Sequence, residues 1–383
     1  MIFHRFSKLF GYEFLDTNAF IKRFSSYDVF AVGEAVLADV PKAVPLDANC
    51  VEAPELLARK IQYEATYVYR LQRCRFPQVR ILSNGAILLQ QKTLLSSGLG
   101  PEDASIVTAL RPDRRRLTRI EKYIVAPFPH NWSHGTYGDY VVRILPRIAR
   151  VLERVDLVHR KNAVIAYPLF NTPFEKAFLT GLGFSDDQIV DTHTTRVECA
   201  GDGVIYCPSG EDSGWSGRSA HPSDYRAARK AFQLESNSPA GSNRRLYLRR
   251  TGRRRILNEN EILPILSENG FEAVDLGALS VPEQIKLCSQ ASVILGIQGA
   301  NLTNMLWCRR SAVLIELFGR GFRPVFHRQM AFSLGLNYFY WADSPLEKSD
   351  FANVNWDLTC DVSILKIFLE SLEGSGVSGF PAA

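Results

Sequence analysis

From Lys122 onward, two hydrophobic patterns alternate along the chain. Short apolar runs rich in β-branched residues indicate buried strands, and apolar positions spaced three or four residues apart indicate amphipathic helices. In order, the predicted elements are the strand YIVAP, the helix GDYVVRILPRIARVLERV, the strand AVIAYPL, the helix TPFEKAFLTGLG and the strand GVIYCPS. Strands that alternate with helices in this way predict an α/β fold with a wound, parallel sheet.

The alternation stops at residues 209–224, a polar segment rich in glycine and serine that we interpret as a linker. It then restarts with RLYLRR (strand), NENEILPILSENG (helix), FEAVDLG (strand), VPEQIKLCSQA (helix), SVILGIQ (strand), GANLTNM (helix start), SAVLIELF (strand), FRPVFHRQMAFSLG (helix), NYFYWA (strand) and VSILKIFLESLE (helix). The restart predicts two similar wound domains that face each other. We assign an N-terminal domain to residues 1–215 with a less regular, β-rich part at 1–120, a C-terminal domain to 216–360, a last helix to 361–373 and a flexible tail to 374–383.

Composition is that of a globular protein, because 46% of the 383 residues are hydrophobic and 22% are charged. The seven cysteines are scattered and form no Cys-x-x-Cys pair, which argues against a disulfide framework and a zinc site and for a reducing compartment. No apolar run is long enough to span a membrane and the start lacks a signal-peptide pattern, so we expect a cytoplasmic protein.

The first 14 residues carry a second pattern, since Ile2, Phe3, Phe6, Leu9 and Phe10 would share one face of a helix. Such a helix either packs on the body of the protein or lies on an anionic membrane surface. Peripheral contact of residues 1–14 with an inner membrane is therefore one expectation.

Seven arginines lie between Arg244 and Arg255, in the run RRLYLRRTGRRR. The run could be a solvated basic face, a nucleic-acid contact or a binding site for a nucleotide diphosphate. Arg249 and Arg250 follow a predicted strand, and in open α/β sheets ligands bind beyond the carboxyl ends of the strands. Guanidinium groups pair two-pronged with phosphate oxygens, which favours the diphosphate. The helix after the run begins at Asn258, which has the capping-box spacing to Glu261.

Two further segments follow predicted strands. In GIQGANLTNM the small residues Gly299 and Ala300 let backbone N–H groups approach an anion, and Asn301 and Thr303 can bind it or cap the helix. In SAVLIELF the strand carries Glu316, whose carboxylate needs donors if it is buried. Ribose hydroxyls and an arginine of the run are the two alternatives that we leave open.

In order and spacing, the segments YLRR, NENE, ASVILG, GANLTNM and VLIELF resemble the C-terminal half of glycosyltransferase family 61. The resemblance is good over residues 246–318 and weaker back to Lys122. It implies a GT-B arrangement of two Rossmann-like domains across a cleft, a nucleotide-sugar donor held by the C-terminal domain and inversion at the anomeric carbon. It also implies the donor-binding residues Arg249, Arg250, Arg255, Gln298, Gly299, Ala300, Asn301, Leu302, Thr303 and Glu316, with the arginines on the diphosphate and Glu316 on the ribose.

The chain departs from the family pattern at two places. Many members have His-Gly-Ala where this chain has Gln298-Gly299-Ala300, and many have His-Trp and an acid where it has Asp139-Tyr140 and then Arg143. The departures predict a different donor or acceptor, or loss of activity.

Inverting transfer needs a base for the acceptor hydroxyl and a group that stabilises the departing diphosphate. Asp139, at a predicted helix start, is our first candidate for the base, although an N-cap would sit at the same place. His134 is the second candidate. No Asp-x-Asp triplet occurs, so we predict that arginines replace a metal and that no cofactor is needed.

The resemblance, together with these features, implies an inverting, metal-independent transferase that moves a sugar from a UDP-sugar to a glycan or glycolipid acceptor, in bacterial capsule or other cell-surface polysaccharide synthesis. A non-catalytic protein that binds a nucleotide sugar or polysaccharide is the alternative. Nucleic-acid binding is a weaker third interpretation, and we expect no nucleic-acid partner.

Overall fold

A computed structural model describes residues 11–15, 23, 29–33, 36–39, 44–45, 60–63, 66–95, 108–110, 116–127, 136–153, 155, 157–207, 220–234, 243–319, 323–342 and 356–374. The chain separates into two compact units, which we call unit 1 (1–36, 63–214 and 226–232) and unit 2 (37–62, 215–225 and 233–383). Among the described residues, no helix is both long enough and apolar enough to cross a membrane.

Strands are numbered in chain order. They are β1 (Glu13–Leu15), β2 (Val29–Gly33), β3 (Val36–Asp39), β4 (Val44–Pro45), β5 (Lys60–Tyr63), β6 (Thr66–Gln72), β7 (Val79–Ile81), β8 (Ile87–Leu89), β9 (Thr93–Leu95), β10 (Leu117–Ile120), β11 (Ile124–Pro127), β12 (Val164–Tyr167), β13 (Ile189–Asp191), β14 (Arg196–Cys199), β15 (Gly203–Cys207), β16 (Arg244–Leu248), β17 (Phe271–Val274), β18 (Ala291–Ile297), β19 (Val313–Phe318) and β20 (Asn337–Ala342).

Helices are numbered in the same way. The α-helices are α1 (Tyr137–Asp139), α2 (Leu145–Leu152), α3 (Leu157–Asn162), α4 (Pro173–Gly181), α5 (Pro222–Ala231), α6 (Glu259–Glu268), α7 (Val281–Ser289), α8 (Phe326–Leu334) and α9 (Val362–Gly374). A π-helix covers Tyr140–Ile144, and 3₁₀-helices cover Asp186–Gln188, Leu276–Ala278 and Ala300–Trp307.

Unit 1 contains two six-stranded sheets. One has the order β13-β12-β11-β15-β6-β2, in which β13, β12, β11 and β15 are parallel and β6 and β2 are antiparallel additions. The other has the order β1-β9-β8-β7-β14-β10 and is built largely from residues before 120, where the sequence predicts an irregular, β-rich part. The wound, parallel part of unit 1 therefore begins at β11, close to the predicted start at Lys122.

Unit 2 contains a six-stranded sheet with the order β17-β16-β18-β19-β20-β4, and all of its strand pairs are parallel. Strands β3 and β5 pair in a separate two-stranded sheet. The first five strands of the six-stranded sheet thus follow the order 2-1-3-4-5, which is typical of doubly wound α/β folds. Alternate residues of β18 and β19 enter one buried cluster with α6 and α9, as the period of two in a strand requires. Its members include Val293, Leu295, Ile297, Val313, Ile315, Leu317, Ile262, Leu266, Leu365 and Leu369.

The predicted strands and helices of both halves are present, with local corrections. The segment interpreted as a linker ends in α5, because Pro222 opens that helix with Asp224 in its first turn. GANLTNM forms a 3₁₀-helix. The predicted helix over residues 1–14 is wrong for Glu13 and Phe14, which lie in β1, and its first ten residues lie outside the described part.

The predicted capping box at α6 is also wrong. Asn258 does lie at the N-cap, but its side chain makes no capping hydrogen bond. Its amide instead donates to the carbonyl of Cys360 and accepts from the backbone N–H of Cys360, at 2.8 and 2.9 Å. Asn258 thus ties the start of α6 to the segment that leads into α9.

Candidate functional site

The sheet of unit 2 changes its winding direction between β16 and β18. From β16 the chain goes to β17 on one side, and from β17 it returns to β18 on the other side. Ligands of open α/β sheets bind beyond the carboxyl ends of the strands at such a switch point. The residues that follow β16 are Arg249 and Arg250, and those that follow β18 are Gln298 and Gly299.

Arg249 is held by a neighbouring carboxylate. Its Nη2 donates to Glu259 Oε2 at 2.6 Å and its Nε donates to Glu259 Oε1 at 3.2 Å. Tyr247 donates to the same carboxylate at 2.9 Å. The hydrogen bond from Arg249 lowers the pKa of Glu259, so the pair is ionised and the two-pronged face of Arg249 is occupied. Its predicted role on the diphosphate stays a prediction.

Arg250 lies against the backbone of Gly299. A Cβ atom on Gly299 would overlap Arg250 Nη1 and would lie 3.0 Å from Arg250 Cζ. The φ angle of Gly299 is 161°, an extended value open to any residue, so the close approach of Arg250, and not the backbone angle, limits the space for a side chain here. The glycine turn therefore provides the surface on which the Arg250 guanidinium rests.

Arg254 reaches the same turn from the other end of the arginine run. Its Nη1 donates to Gln298 Oε1, and its Nε has no hydrogen-bond partner among the described residues. The residue adopts a left-handed backbone conformation with φ of 60°. Such a conformation is uncommon outside glycine and concentrates at functional sites. Arg254, which the resemblance leaves out of the donor-binding residues, belongs to the site.

Arg250 and Arg254 form a pair of half-buried cations. Burial and then the charge of Arg253 lower the pKa of Arg250. Burial and then the charges of Arg250 and Arg253 lower the pKa of Arg254 to about 10. Within the described ranges, neither guanidinium has an ion pair with a carboxylate. Repulsion between the guanidiniums would be relieved by a bound anion.

Three other arginines of the run have protein partners away from the glycine turn. Arg244 pairs with Glu272, Arg245 donates to the carbonyl of Asn269 at 2.8 Å, and Arg255 lies 3.6 Å from Asp357. Arg244 is at the amino end of β16 and Arg255 is exposed beside the segment that precedes α9. The run is therefore divided. Arg253 is exposed, whereas Arg250 and Arg254 meet the turn after β18, where the described residues supply neither of them with a carboxylate partner.

The turn after β18 continues into the 3₁₀-helix Ala300–Trp307. Asn301 donates to the carbonyl of Arg249 at 3.3 Å, which links the ends of the two strands. The Thr303 hydroxyl donates to the carbonyl of Ala300 at 2.6 Å and is used inside the helix. Leu302 is fully buried against β18 near Gly296. These contacts fix the shape of the turn.

Glu316 is fully buried near the end of β19. His327 Nδ1 lies 2.6 Å from one carboxylate oxygen, and Tyr338 donates to the other at 2.7 Å. Among the described residues, no arginine of the run pairs with Glu316. The charge of Glu316 opposes the lowering of the Arg254 pKa, but the two residues form no ion pair. Its predicted role as a ribose ligand stays a prediction.

Asp139 of unit 1 lies in the first turn of α1. The N-cap of α1 is Thr136, because the backbone N–H of Asp139 donates to Thr136 Oγ1 at 3.2 Å. The Thr136 hydroxyl donates to Asp139 Oδ2 at 2.5 Å. Asp139 occupies the N-cap position of the π-helix Tyr140–Ile144, but its side chain makes no capping hydrogen bond there. Among the described residues, the second oxygen of its half-buried carboxylate has no hydrogen-bond donor. The other predicted base, His134, lies outside the described residues.

Behind Asp139, the chain forms a π-helix that begins at Tyr140. The Tyr140 hydroxyl lies 3.5 Å from that of Tyr167, which donates to Glu175 at 2.7 Å. Glu175 also accepts from two backbone N–H groups, and burial raises its pKa. The network anchors the start of the π-helix, directly after Asp139, and π-turns occur often at functional sites. The spacing of these residues along the chain does not indicate the network.

In the part of the chain that the structure describes, no three histidine, cysteine, aspartate or glutamate side chains cluster so that they could hold a metal ion. The prediction of metal-independent chemistry stays a prediction.

Comparison with known proteins decides the family. Residues 137–315 match the family model described as Glycosyltransferase 61. The chain carries a glycosyltransferase family 61 domain. The match contains Asp139, the arginine run and the glycine turn, and it ends one residue before Glu316. The predicted family is confirmed, whereas its bacterial capsule type stays a prediction.

A curated relative is similar to part of this domain. It is the EGF domain-specific O-linked N-acetylglucosamine transferase of Drosophila melanogaster, 29% identical over 119 residues. The aligned segment covers 30% of this chain and 23% of the relative, so the chain spans about a quarter of that protein's length.

Proposed function

We propose that this protein is a glycosyltransferase that moves a sugar from a nucleoside diphosphate sugar to a hydroxyl group of a glycan or glycolipid. The family 61 domain and the named activity of the Drosophila relative support sugar transfer. The single observation that carries the donor class is the pair of half-buried guanidiniums of Arg250 and Arg254 at the switch point of the unit 2 sheet.

The diphosphate is the part of the donor that fits these groups. Each guanidinium offers a fork of N–H donors that matches phosphate oxygens. The backbone N–H groups that open the 3₁₀-helix Ala300–Trp307 add partial positive charge next to them. A donor diphosphate would stabilise the two cations, and the cations would stabilise the charge that develops on the diphosphate as the sugar leaves.

We propose that this electrostatic partner makes a divalent metal unnecessary. The reaction is proposed to invert the anomeric carbon, with the acceptor hydroxyl losing its proton to Asp139. The Asp139 carboxylate keeps one oxygen outside its hydrogen bond with Thr136, which supports this assignment. The GT-B arrangement of two domains belongs to the same proposal and rests on the family resemblance.

A UDP-sugar is the proposed donor, and the relative's name makes N-acetylglucosamine the first sugar to test. Cell-surface polysaccharide synthesis in a bacterium, on the cytoplasmic side of the inner membrane, is the proposed setting.

A non-catalytic binder is the second candidate. It is favoured by Gln298, which stands where many family members have histidine and which is occupied by Arg254. Such a protein would use the same anion site without turnover. Binding to long nucleic acids is less well supported, because most arginines of the run already have protein partners.

The test is a panel of nucleoside diphosphate sugars incubated with the protein and acceptor glycans in excess chelator. We expect released nucleoside diphosphate and a product of increased mass with at least one donor. A protein whose melting temperature rises with nucleotide but which releases no diphosphate would be a binder. Failure of every nucleotide to bind would refute the donor site.

A further inference from the structure

The hydrogen bond between Gln298 and Arg254 has a defined direction, with Arg254 as the donor. Arginine side chains have only donors, so the atom of Gln298 that meets Arg254 Nη1 must be the carbonyl oxygen Oε1. The amide is therefore fixed in one orientation, an assignment that is usually ambiguous for glutamine. Gln298 itself is 4% exposed and its backbone N–H donates to the carbonyl of Leu317 at 2.8 Å, so it is a rigid support.

Because the Gln298 amide is neutral, it accepts the hydrogen bond from Arg254 without neutralising the guanidinium charge. A carboxylate at the same place would accept the same hydrogen bond but would pair with the guanidinium, as Glu259 does with Arg249. An apolar side chain would leave the guanidinium without an acceptor. Only a neutral acceptor both orients Arg254 and leaves its positive charge available to an anion.

We propose that Gln298 is a positioning residue that holds Arg254, in its left-handed conformation, as a ligand of the donor diphosphate. The inference rests on the proposed function, because it takes the diphosphate as the anion. It assigns Gln298 a role that depends on Arg254, whereas a simple core position would not depend on that arginine.

A thermodynamic cycle separates these roles. UDP affinity is measured by titration calorimetry for the parental protein, Gln298→Met, Arg254→Ala and the double variant. Methionine has a similar shape but cannot hold Arg254 as an amide oxygen does. We expect Gln298→Met alone to weaken UDP binding about tenfold. Arg254→Ala alone should weaken it about tenfold to a hundredfold, since the loss of a hydrogen bond to a charged group lowers affinity by this factor. In the Arg254→Ala background, Gln298→Met should have no further effect.

Two more variants sharpen the test. Gln298→Glu keeps the acceptor and adds charge, and we expect it to weaken UDP binding at least about tenfold, whereas a core role would tolerate it. Gln290→Met is the matched control, because Gln290 accepts from Arg244 at 3.1 Å just before β18 begins. It should leave UDP affinity unchanged. Melting curves without nucleotide identify any variant that fails to fold.

Equal effects of Gln298→Met in the presence and absence of Arg254 would overturn the positioning role while leaving the donor site intact. Retention of full affinity by Gln298→Glu would do the same. Absence of UDP binding by the parental protein, and of binding by any other nucleoside diphosphate, would overturn the proposed function together with this inference.

Discussion

Gly299→Ala is the perturbation that tests the geometry of the anion site most specifically. The new methyl group would overlap Arg250 Nη1 and lie 3.0 Å from Arg250 Cζ. Non-bonded heavy atoms prefer a separation of about 3.5 Å or more, so the guanidinium must withdraw by more than about 1 Å. The backbone needs no change, because the φ angle of Gly299 is already extended.

The size of the effect follows from this displacement. A shift of about 1 Å in a group that must meet two phosphate oxygens costs on the order of a hundredfold in function. We therefore expect UDP affinity to fall about tenfold to a hundredfold, as it would for Arg250→Ala. Stability should change little, since the displaced atoms are the end of a flexible side chain and alanine reduces the entropy of the unfolded chain.

Titration calorimetry with UDP and thermal melting of the free protein measure the two quantities. Gly252→Ala is the matched control, because Gly252 lies in the same arginine turn and a Cβ there meets nothing within 4 Å. A Gly299→Ala protein that binds UDP as tightly as the parental protein would show that Arg250 does not hold the diphosphate from this position. Equal losses in Gly299→Ala and Gly252→Ala would point to a general disturbance of the turn.

Three other predictions test the remaining assignments. Asp139→Asn should keep UDP affinity and slow transfer by roughly a hundredfold to ten-thousandfold, the contribution of a general base, whereas transfer at the parental rate would remove Asp139 from that role. Arg249→Ala should lower UDP affinity by less than about threefold, because the guanidinium is already bound to Glu259, and a loss as large as that of Arg250→Ala would restore it as a diphosphate ligand. Product formation, followed by mass spectrometry, should survive excess chelator, and complete loss that manganese or magnesium restores would reveal a metal site.

From Lys122 onward, the sequence was sufficient to predict most strands and helices and the edge of the sheet where the candidate site lies. Strand β16 ends just before Arg249 and Arg250, and β18 ends just before Gln298, as the apolar runs predict. The strand order could not be predicted from the sequence, because the pairing of β16 with both β17 and β18 depends on contacts between residues far apart along the chain. The period of the apolar residues indicates a wound sheet but not its order.

The roles of individual arginines could not be separated for a related reason. Arg249 and Arg254 are alike in the sequence, and partners distant along the chain distinguish them: Glu259 pairs with Arg249, and Gln298 accepts from Arg254. Glu316 is a similar case, since its partners His327 and Tyr338 come from the helix and strand that follow it. Spacing shows which residues are near the end of a strand, but the tertiary structure decides which charges stay unpaired.

We propose that Arg250 and Arg254, and not the whole arginine run, bind a nucleoside diphosphate. UDP binding by calorimetry to the parental protein, Arg254→Ala and Arg255→Ala tests it most directly, with GDP as the alternative nucleotide. Arg255 is an adjacent arginine beside Asp357, so it controls for net charge. The account predicts binding that Arg254→Ala weakens about tenfold to a hundredfold and that Arg255→Ala leaves within about threefold. Equal losses in the two variants, or no binding of either nucleotide by the parental protein, would contradict it.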